Sequence, residues 1–137
     1  MKTFTEYLTF HTAQRVELVN ITQKVDEIAR RSGVRDGFAL VSAMHITAAV
    51  FVNDEEEGLK QDILEFLERL SPVKGKYRHH LTGEDNGYAH VWNLLLGRQV
   101  ILPVTKGALD LGPWQQVFYG EFDGRRSKRV LVKLLGE

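Results

Sequence analysis

The chain has 137 residues, 43% of them hydrophobic, which is enough apolar material for one domain with one core. Its 18 basic residues balance 18 acidic ones, so it lacks the basic excess with which a sequence-independent nucleic-acid binder neutralises phosphates. The absence of cysteine excludes disulfides, thiolate metal sites and cysteine nucleophiles.

The N-terminal third predicts a strand followed by an amphipathic helix. Residues 3 to 10 alternate between two faces and are rich in β-branched and aromatic side chains, which is typical of a strand. From Asn20 the apolar period becomes helical, Asn20 can cap this helix, and Gly33 ends it. The apolar positions of the strand are Phe4, Leu8 and Phe10, on the same face as Glu6, and those of the helix are Ile21, Val25, Ile28 and Ala29.

The middle of the chain predicts buried strand and two further helices. Residues 38 to 52 form the longest apolar stretch, which fits two buried strands or one long bent strand. Residues 59 to 70 repeat at helical spacing behind an acidic start, and Pro72 ends this second helix. Residues 86 to 96 predict a third, short helix with Asp85 or Asn86 as its N-cap.

The remainder predicts strands over residues 100 to 104, 115 to 122 and 128 to 135. Asp123-Gly124, between the last two, is a strong hairpin signal. The predicted order of strands and helices does not alternate as a doubly wound fold does. We therefore predict a single α+β domain over residues 1 to 137, with antiparallel or mixed sheets and two to three helices.

Neither a membrane partner nor a secretory signal is expected. No apolar run approaches the roughly 18 to 20 residues that cross a bilayer. The segment from Met1 to Glu6 has no apolar signal-peptide stretch. We expect a cytoplasmic protein.

The histidines are the first candidates for chemistry. His45 interrupts the apolar stretch, where it is either a core histidine satisfied by a backbone carbonyl or a ligand. Residues 78 to 90 add three imidazoles, two carboxylates and an amide. If a helix begins at Asn86, then Asn86 and His90 project from one face near its start, which suits an anion or a metal ligand.

A divalent metal site is one hypothesis for these residues. His45, His90 and one of the pair His79 and His80, of which we take His80, would hold zinc or magnesium and leave a coordination position open. The spacing matches no HExxH pattern, and a solvated polar loop is the alternative.

Three other positions complete the candidate list. Asn53, at the end of the buried stretch, is a better site candidate than the acidic residues that start the next helix. Trp114 and Gln115 follow a Gly-Pro turn, although a turn with a core tryptophan is the simpler explanation. Arg126 lies in a basic run that receives a phosphate or else forms a solvated hairpin tip.

Several segments follow one another along the chain: His45-Ile46-Thr47-Ala48, then Asn53, then Gly83-Glu84-Asp85-Asn86 with His90, then Leu111-Gly112-Pro113-Trp114-Gln115-Gln116, and finally Glu121-Phe122-Asp123-Gly124. In this order they resemble the YjbQ-like secondary thiamine-phosphate synthase family over nearly the whole chain. The family's usual HTT, GTWQ and DGPR motifs stand here with changes, and Pro113 removes a backbone donor. HTT is His45-Ile46-Thr47 in this chain, GTWQ is Gly112-Pro113-Trp114-Gln115, and DGPR is Asp123-Gly124-Arg125-Arg126.

The resemblance implies a homotrimer with a histidine-containing pocket near subunit boundaries. It also implies a thiamine-phosphate synthase activity, which joins a pyrimidine diphosphate to a thiazole phosphate and releases pyrophosphate. The histidines would hold a metal or anion, and Arg126 would neutralise phosphate. Asp85, Asn86 and Asn53 would orient the ligands, with Trp114 and Gln115 beside them.

Two alternatives use the same residues. A metal-assisted hydrolase would use the histidines to activate water. A noncatalytic trimeric module would bind a phosphorylated metabolite or a metal without turnover.

Overall fold

The computed structural model describes all residues from 1 to 137 and contains eight strands, three α-helices and one 3-10 helix. In chain order these are β1 (Lys2–Phe10), β2 (Glu17–Asn20), α1 (Thr22–Arg31), β3 (Asp36–Ala43), β4 (Ala48–Asn53), α2 (Glu57–Leu70), the 3-10 helix (Arg78–Thr82), α3 (Gly87–Leu96), β5 (Gln99–Thr105), β6 (Ala108–Leu109), β7 (Gln116–Glu121) and β8 (Lys128–Gly136).

The strands form two sheets. The five-stranded sheet has the order β1-β8-β3-β5-β6, and the three-stranded sheet has the order β2-β7-β4. Every pairing is antiparallel. The predicted α+β class with antiparallel sheets is therefore confirmed, and no parallel pair makes either sheet mixed.

The main core lies between the two sheets and α1. Alternate residues of β8 point into it, namely Val130, Val132 and Leu134, because successive side chains of a strand face opposite sides. α1 contributes Val25 and Ile28 from the apolar face that its sequence predicts. Each such buried aliphatic side chain contributes about 1.5 to 3 kcal/mol to stability.

A second, smaller core fixes α3 over β4. Trp92 of α3 packs against Phe122 and donates its indole N–H to Ser71 O at 2.9 Å. Asn93 donates to Ala48 O at 2.6 Å, which ties α3 to the first residue of β4. α3 is thereby held beside the loop between β3 and β4.

The predicted hairpin at Asp123-Gly124 is wrong. β7 belongs to the three-stranded sheet and β8 to the five-stranded sheet, so the turn crosses from one sheet to the other. Asp123 is buried and accepts hydrogen bonds from Arg15, Arg125 and Asn86, whereas a hairpin tip would leave it in solvent.

The sequence patterns also missed the two shortest strands and the 3-10 helix. β2 has four residues and β6 has two, too few to establish a period. The stretch from 38 to 52 is two strands, as one of the two alternatives predicted, and they lie in different sheets. No helix is long and apolar enough to span a bilayer.

Candidate functional site

Two adjoining cavities open at the loop between β3 and β4. We call them the histidine cavity, of about 190 Å³, and the Arg98 cavity, of about 410 Å³. His45 and Ile46 line both cavities, so the two cavities adjoin at these residues. The histidine cavity is also lined by Thr47, His79, Glu84, Asn86, His90 and Arg126, and the Arg98 cavity by Ala43, Met44, Asn93 and Arg98.

Two larger concavities, of about 560 and 500 Å³, lie elsewhere on the chain. The first is lined by four residues of the segment 76–81, and the second by a face of α2 with Trp92. Neither is lined by a histidine or an asparagine. The histidine cavity gathers more groups that can donate, accept or carry charge, so it is the stronger site candidate.

His45 lies in the loop between β3 and β4, half-buried, and not within a strand as the sequence predicted. Its Nδ1 accepts the backbone N–H of Thr47 at 3.2 Å and lies 2.9 Å from Thr47 Oγ1. Burial, together with the positive charges of Lys128 and Arg126, lowers the pKa of His45. The ring is therefore a neutral imidazole that carries its proton on Nε2.

A buried polar network lies behind His45. Thr47 Oγ1 accepts a hydrogen bond from Lys128 Nζ at 2.7 Å, and Lys128 also forms an ion pair with Glu121. Tyr119 donates its hydroxyl to Glu121 Oε1 at 2.9 Å, and the backbone N–H of Asp123 donates to Oε2 at 3.2 Å. The side chains of Lys128 and Glu121 have no exposed surface.

The start of α3 supplies the opposite wall of the histidine cavity. Asn86 and His90 are four residues apart and both line the cavity, as their helical spacing predicts. The His79 ring meets the His90 ring edge-on at 4.6 Å. Burial is the main cause of the lowered pKa of His90, and the electrostatic effect of His79 is the second cause.

Asn86 has one hydrogen bond fewer than its burial requires. Its Nδ2 donates to Asp123 Oδ2 at 2.9 Å, which fixes the orientation of the amide. Its Oδ1 is buried and has no partner, and the side chain does not cap α3. A buried acceptor without a partner costs about 1 to 3 kcal/mol, so this oxygen points to a ligand that carries a donor.

Asp85 does not line either cavity. Its carboxylate is exposed and forms ion pairs with Arg15, at 3.0 Å, and with Arg125. Both arginines also bind Asp123, so that the pair of carboxylates and the pair of guanidiniums form one network. Arg125 thus has two ionic partners, Asp85 and Asp123.

Burial alone would raise the pKa of Asp123. Hydrogen bonds from Asn86 and Arg125 and the positive charges of Arg125 and Arg15 outweigh it and lower that pKa to about 2. Asp123 is therefore an ionised buried acceptor that holds the Asn86 amide in place.

The predicted metal set of His45, His80 and His90 is not assembled. His80 lies outside the histidine cavity, where its Nε2 accepts the backbone N–H of Gly87 at 3.1 Å. Gly87 permits this close packing, since a Cβ there would lie 3.1 Å from His80 Nε2 and 2.6 Å from Tyr77 Cγ. His79 takes the place in the cavity that we gave to His80.

The donor chemistry does not fit a metal either. Ligation through Nε2 of His45 requires the proton on Nδ1, but Nδ1 is an acceptor for Thr47. No three His, Asp or Glu side chains of the chain are grouped to hold a metal ion.

Asn53, Trp114 and Gln115 lie at the other end of the three-stranded sheet. β4 begins just after the His45 loop and ends at Asn53, about 17 Å away at roughly 3.3 Å per residue. Asn53 pairs with Gln116, beside Gln115. Trp114 is 74% exposed and is not a core residue. The structure separates these three residues from the histidine cavity.

Thr47 lines the histidine cavity, and Lys128 and Glu121 lie behind it; the sequence reasoning gave none of these three residues a role in the site. A signal was present for Lys128, because it occupies the same face of β8 as Val130 and Val132. A lysine at a core-facing position is almost never fully buried unless it is paired. Its partner Glu121 gives no local signal, since the two residues lie in different sheets.

Comparisons with known proteins agree with this fold. Residues 6–137 match the family model described as UPF0047 protein YjbQ-like. A UPF0047 protein of Archaeoglobus fulgidus is 45% identical over 128 residues, which cover 93% of this chain and 98% of that protein. The UPF0047 protein YugU of Bacillus subtilis is 30% identical over 130 residues, 94% of this chain and 97% of that protein.

Solved structures show the same architecture. The crystal structure of a YbjQ-like protein from Sulfolobus solfataricus superposes with a TM-score of 0.94 at 35% identity and covers 99% of both chains. A structure of a member of the same family from Clostridium acetobutylicum has a TM-score of 0.88 at 33% identity and covers 95% of this chain and 99% of that one. The chain therefore belongs to the YjbQ-like UPF0047 family.

Proposed function

We propose that this chain is an enzyme that joins two phosphorylated small molecules, one held in each cavity. The observation that carries the proposal is that the two cavities adjoin at His45 and Ile46, and that each cavity is lined by one guanidinium, from Arg126 or Arg98. Arginine is well suited to bind phosphate through paired N–H donors. Two anionic substrates, each bound by one arginine, can thus meet beside one neutral imidazole.

The reaction that we propose is thiamine-phosphate synthesis, as the family resemblance implies. The thiazole nitrogen attacks the methylene carbon of the pyrimidine diphosphate, a C–N bond forms, and the C–O bond breaks. Pyrophosphate leaves with the electron pair of that bond. Arg126 and the Nε2–H of His45 stabilise the charge on the departing pyrophosphate, while Arg98 holds the thiazole phosphate.

Asn86 supports a pyrimidine in the histidine cavity. Its unpartnered Oδ1 is an acceptor, and the pyrimidine of thiamine carries an amino group that can donate to it. The proposal uses no step through a metal, because the candidate histidines do not form a ligand set. This geometry also gives the metal-assisted hydrolase less support than the transferase.

Noncatalytic binding is the second candidate function. The same guanidiniums and imidazole would bind phosphorylated metabolites without a reaction between them. This alternative predicts stabilisation by each ligand, of about 2.7 kcal/mol at a hundredfold excess over Kd, and no product.

We also propose the homotrimer and the cytoplasmic location. The outer face of the five-stranded sheet carries a group of exposed apolar side chains on neighbouring strands, Phe38, Ile101 and Leu135. In a closed symmetric assembly a neighbouring subunit can cover this apolar face on every subunit, so that none of these faces remains exposed to solvent.

The test is product formation from the pyrimidine diphosphate and the thiazole phosphate, followed by chromatography of thiamine phosphate. We expect slow formation by the wild type and a loss of at least tenfold in Arg126→Ala and in Arg98→Ala. Lys74→Ala, an exposed lysine outside both cavities, is the matched control. If both substrates bind but no product forms, the noncatalytic binding function replaces the enzymatic one.

A further inference from the structure

We infer that Lys128 is a positioning residue, which acts through Thr47 to hold His45 as an Nε2–H donor facing the two cavities. Neither Lys128 nor Thr47 belongs to the predicted site, and Lys128 lines neither cavity. The inference rests on the proposed function only in its last step, where the Nε2–H of His45 meets a phosphoryl oxygen.

The position of Lys128 is unusual for a lysine. It is 2% exposed, at the first residue of β8, and its ammonium lies between Thr47 and Glu121. Burial lowers the pKa of Lys128, and the carboxylate of Glu121 opposes that effect. The ion pair therefore keeps a charged donor beneath the loop that carries His45.

The direction of each hydrogen bond follows from counting protons. An ammonium has only donors, so Thr47 Oγ1 must accept from Lys128 and is left with its own hydrogen to donate. The nearest acceptor for that hydrogen is His45 Nδ1, at 2.9 Å. The backbone N–H of Thr47 donates to the same nitrogen. With two donors directed at Nδ1, the ring proton resides on Nε2.

Glu121 is itself fixed by hydrogen bonds and provides the ionic partner of the Lys128 ammonium. Oε1 accepts from Tyr119, and Oε2 accepts from Lys128 and from the backbone N–H of Asp123. A buried ion pair is often no more stabilising than apolar residues of similar volume. The Lys128–Glu121 pair lies directly behind the imidazole of His45. We therefore infer that it positions this ring and does not only stabilise the fold.

The test compares Thr47→Val with Thr47→Ser. Valine has the shape of threonine but no hydroxyl, whereas serine keeps the hydroxyl that links Lys128 to His45. We expect the nitrogen chemical shift of His45 Nδ1, measured by NMR without ligand, to change in Thr47→Val and to remain near the wild-type value in Thr47→Ser. We expect the affinity for inorganic pyrophosphate to fall by about threefold to tenfold in Thr47→Val and to be restored in Thr47→Ser.

Lys128 itself requires a paired change. Lys128→Met alone leaves the Glu121 carboxylate buried and unpaired, and this variant would be strongly destabilised. Lys128→Met combined with Glu121→Gln removes both charges. We expect this double variant to lower pyrophosphate affinity to the level of Thr47→Val, and the addition of Thr47→Val to cause little further loss, because the residues act in series.

Two outcomes separate this inference from the proposed function. An unchanged His45 Nδ1 shift in both Thr47→Val and the double variant would overturn the positioning role. A changed shift with unaltered pyrophosphate affinity would support the positioning role and show instead that His45 does not bind the phosphoryl group, which contradicts the proposed function.

Discussion

Asn86 donates to Asp123 at 2.9 Å, across 37 residues of sequence and between the start of α3 and the end of β7. This bond decides which end of the Asn86 amide faces the cavity, because only the Nδ2 end can donate to a carboxylate. The Oδ1 end is left buried without a partner. The buried carboxylate of Asp123 thus orients the Asn86 amide so that its Oδ1 is available as an acceptor for a ligand.

The first prediction concerns this acceptor. Asn86→Ala should weaken binding of the pyrimidine diphosphate by about threefold to tenfold, because one hydrogen bond to the pyrimidine is lost. Binding of inorganic pyrophosphate should hardly change, since the contacts that we propose for pyrophosphate are with Arg126 and His45. Calorimetric titration of both ligands measures the difference. Equal losses for the two ligands would show that Asn86 does not recognise the pyrimidine.

The second prediction is a pH dependence of stability that arises from Asp123. Its pKa is about 2 in the folded chain and about 3.9 in an unfolded one. A depressed carboxyl pKa contributes stability that is present above about pH 4 and is lost as the pH falls towards 2, here about 2 to 3 kcal/mol. Urea denaturation between pH 5 and pH 2 should show this loss.

Asp123→Asn provides the comparison, with Asp62→Asn as its control. Asp62 is exposed on α2 and has no ion pair. Asp123→Asn should be less stable than the wild type at pH 5 and should lose less stability on acidification. Identical pH profiles for the wild type and Asp123→Asn would assign the acid sensitivity to other carboxylates.

The third prediction separates His45 from His80. His45→Ala should abolish binding of phosphorylated ligands while the protein stays folded, because His45 is half-buried in a loop and lines both cavities. His80→Ala should retain ligand binding but lose about 1 kcal/mol of stability, since the Gly87 N–H at the start of α3 loses its acceptor. Calorimetric binding and thermal unfolding of both variants test this. If His45→Ala unfolds instead, His45 is a structural residue.

The sequence predicts most of this fold but only part of the site. Local periodicity was sufficient for α1, α2 and the long strands, since their apolar faces are set by residues close in the chain. Asp123-Gly124 has the composition of a hairpin, yet its flanking strands lie in different sheets. Asp123 instead binds Arg15 and Asn86, which are distant in sequence, so no local pattern indicates this arrangement.

The site was predictable where one element supplies its residues. Asn86 and His90 share a helix face, so their spacing alone places them together. Whether His79 or His80 enters the cavity depends on the 3-10 helix, which has no period of its own to read. The separation of Trp114 from His45 depends on strand pairing in the three-stranded sheet, which no local pattern specifies.

The fourth prediction contrasts His90 of α3 with Asp85 of the Gly83-Glu84-Asp85-Asn86 segment. His90→Ala should lower product formation by at least tenfold, because His90 lines the histidine cavity. Asp85→Ala should have less than a twofold effect, because its exposed carboxylate binds Arg15 and Arg125 outside the cavity. Initial rates of thiamine phosphate formation test both variants. An inactive Asp85→Ala protein that remains folded would restore the direct role that the sequence predicted for Asp85.

The last prediction concerns assembly through the outer face of the five-stranded sheet. Phe38 is 57% exposed and Ile101 is 66% exposed, on paired strands of that face. A contiguous apolar surface of this kind is typical of a subunit interface. Light scattering of the wild type at micromolar concentration should give the mass of a trimer. Phe38→Asp and Ile101→Asp should each shift the mass towards the monomer, because a carboxylate buried at an apolar interface has no partner.

Leu81→Asp is the matched control, since Leu81 is 88% exposed on the 3-10 helix, away from this sheet. If the wild type is monomeric, the homotrimer proposal fails; if it is trimeric and only Leu81→Asp dissociates it, the interface lies at the 3-10 helix and not on the sheet.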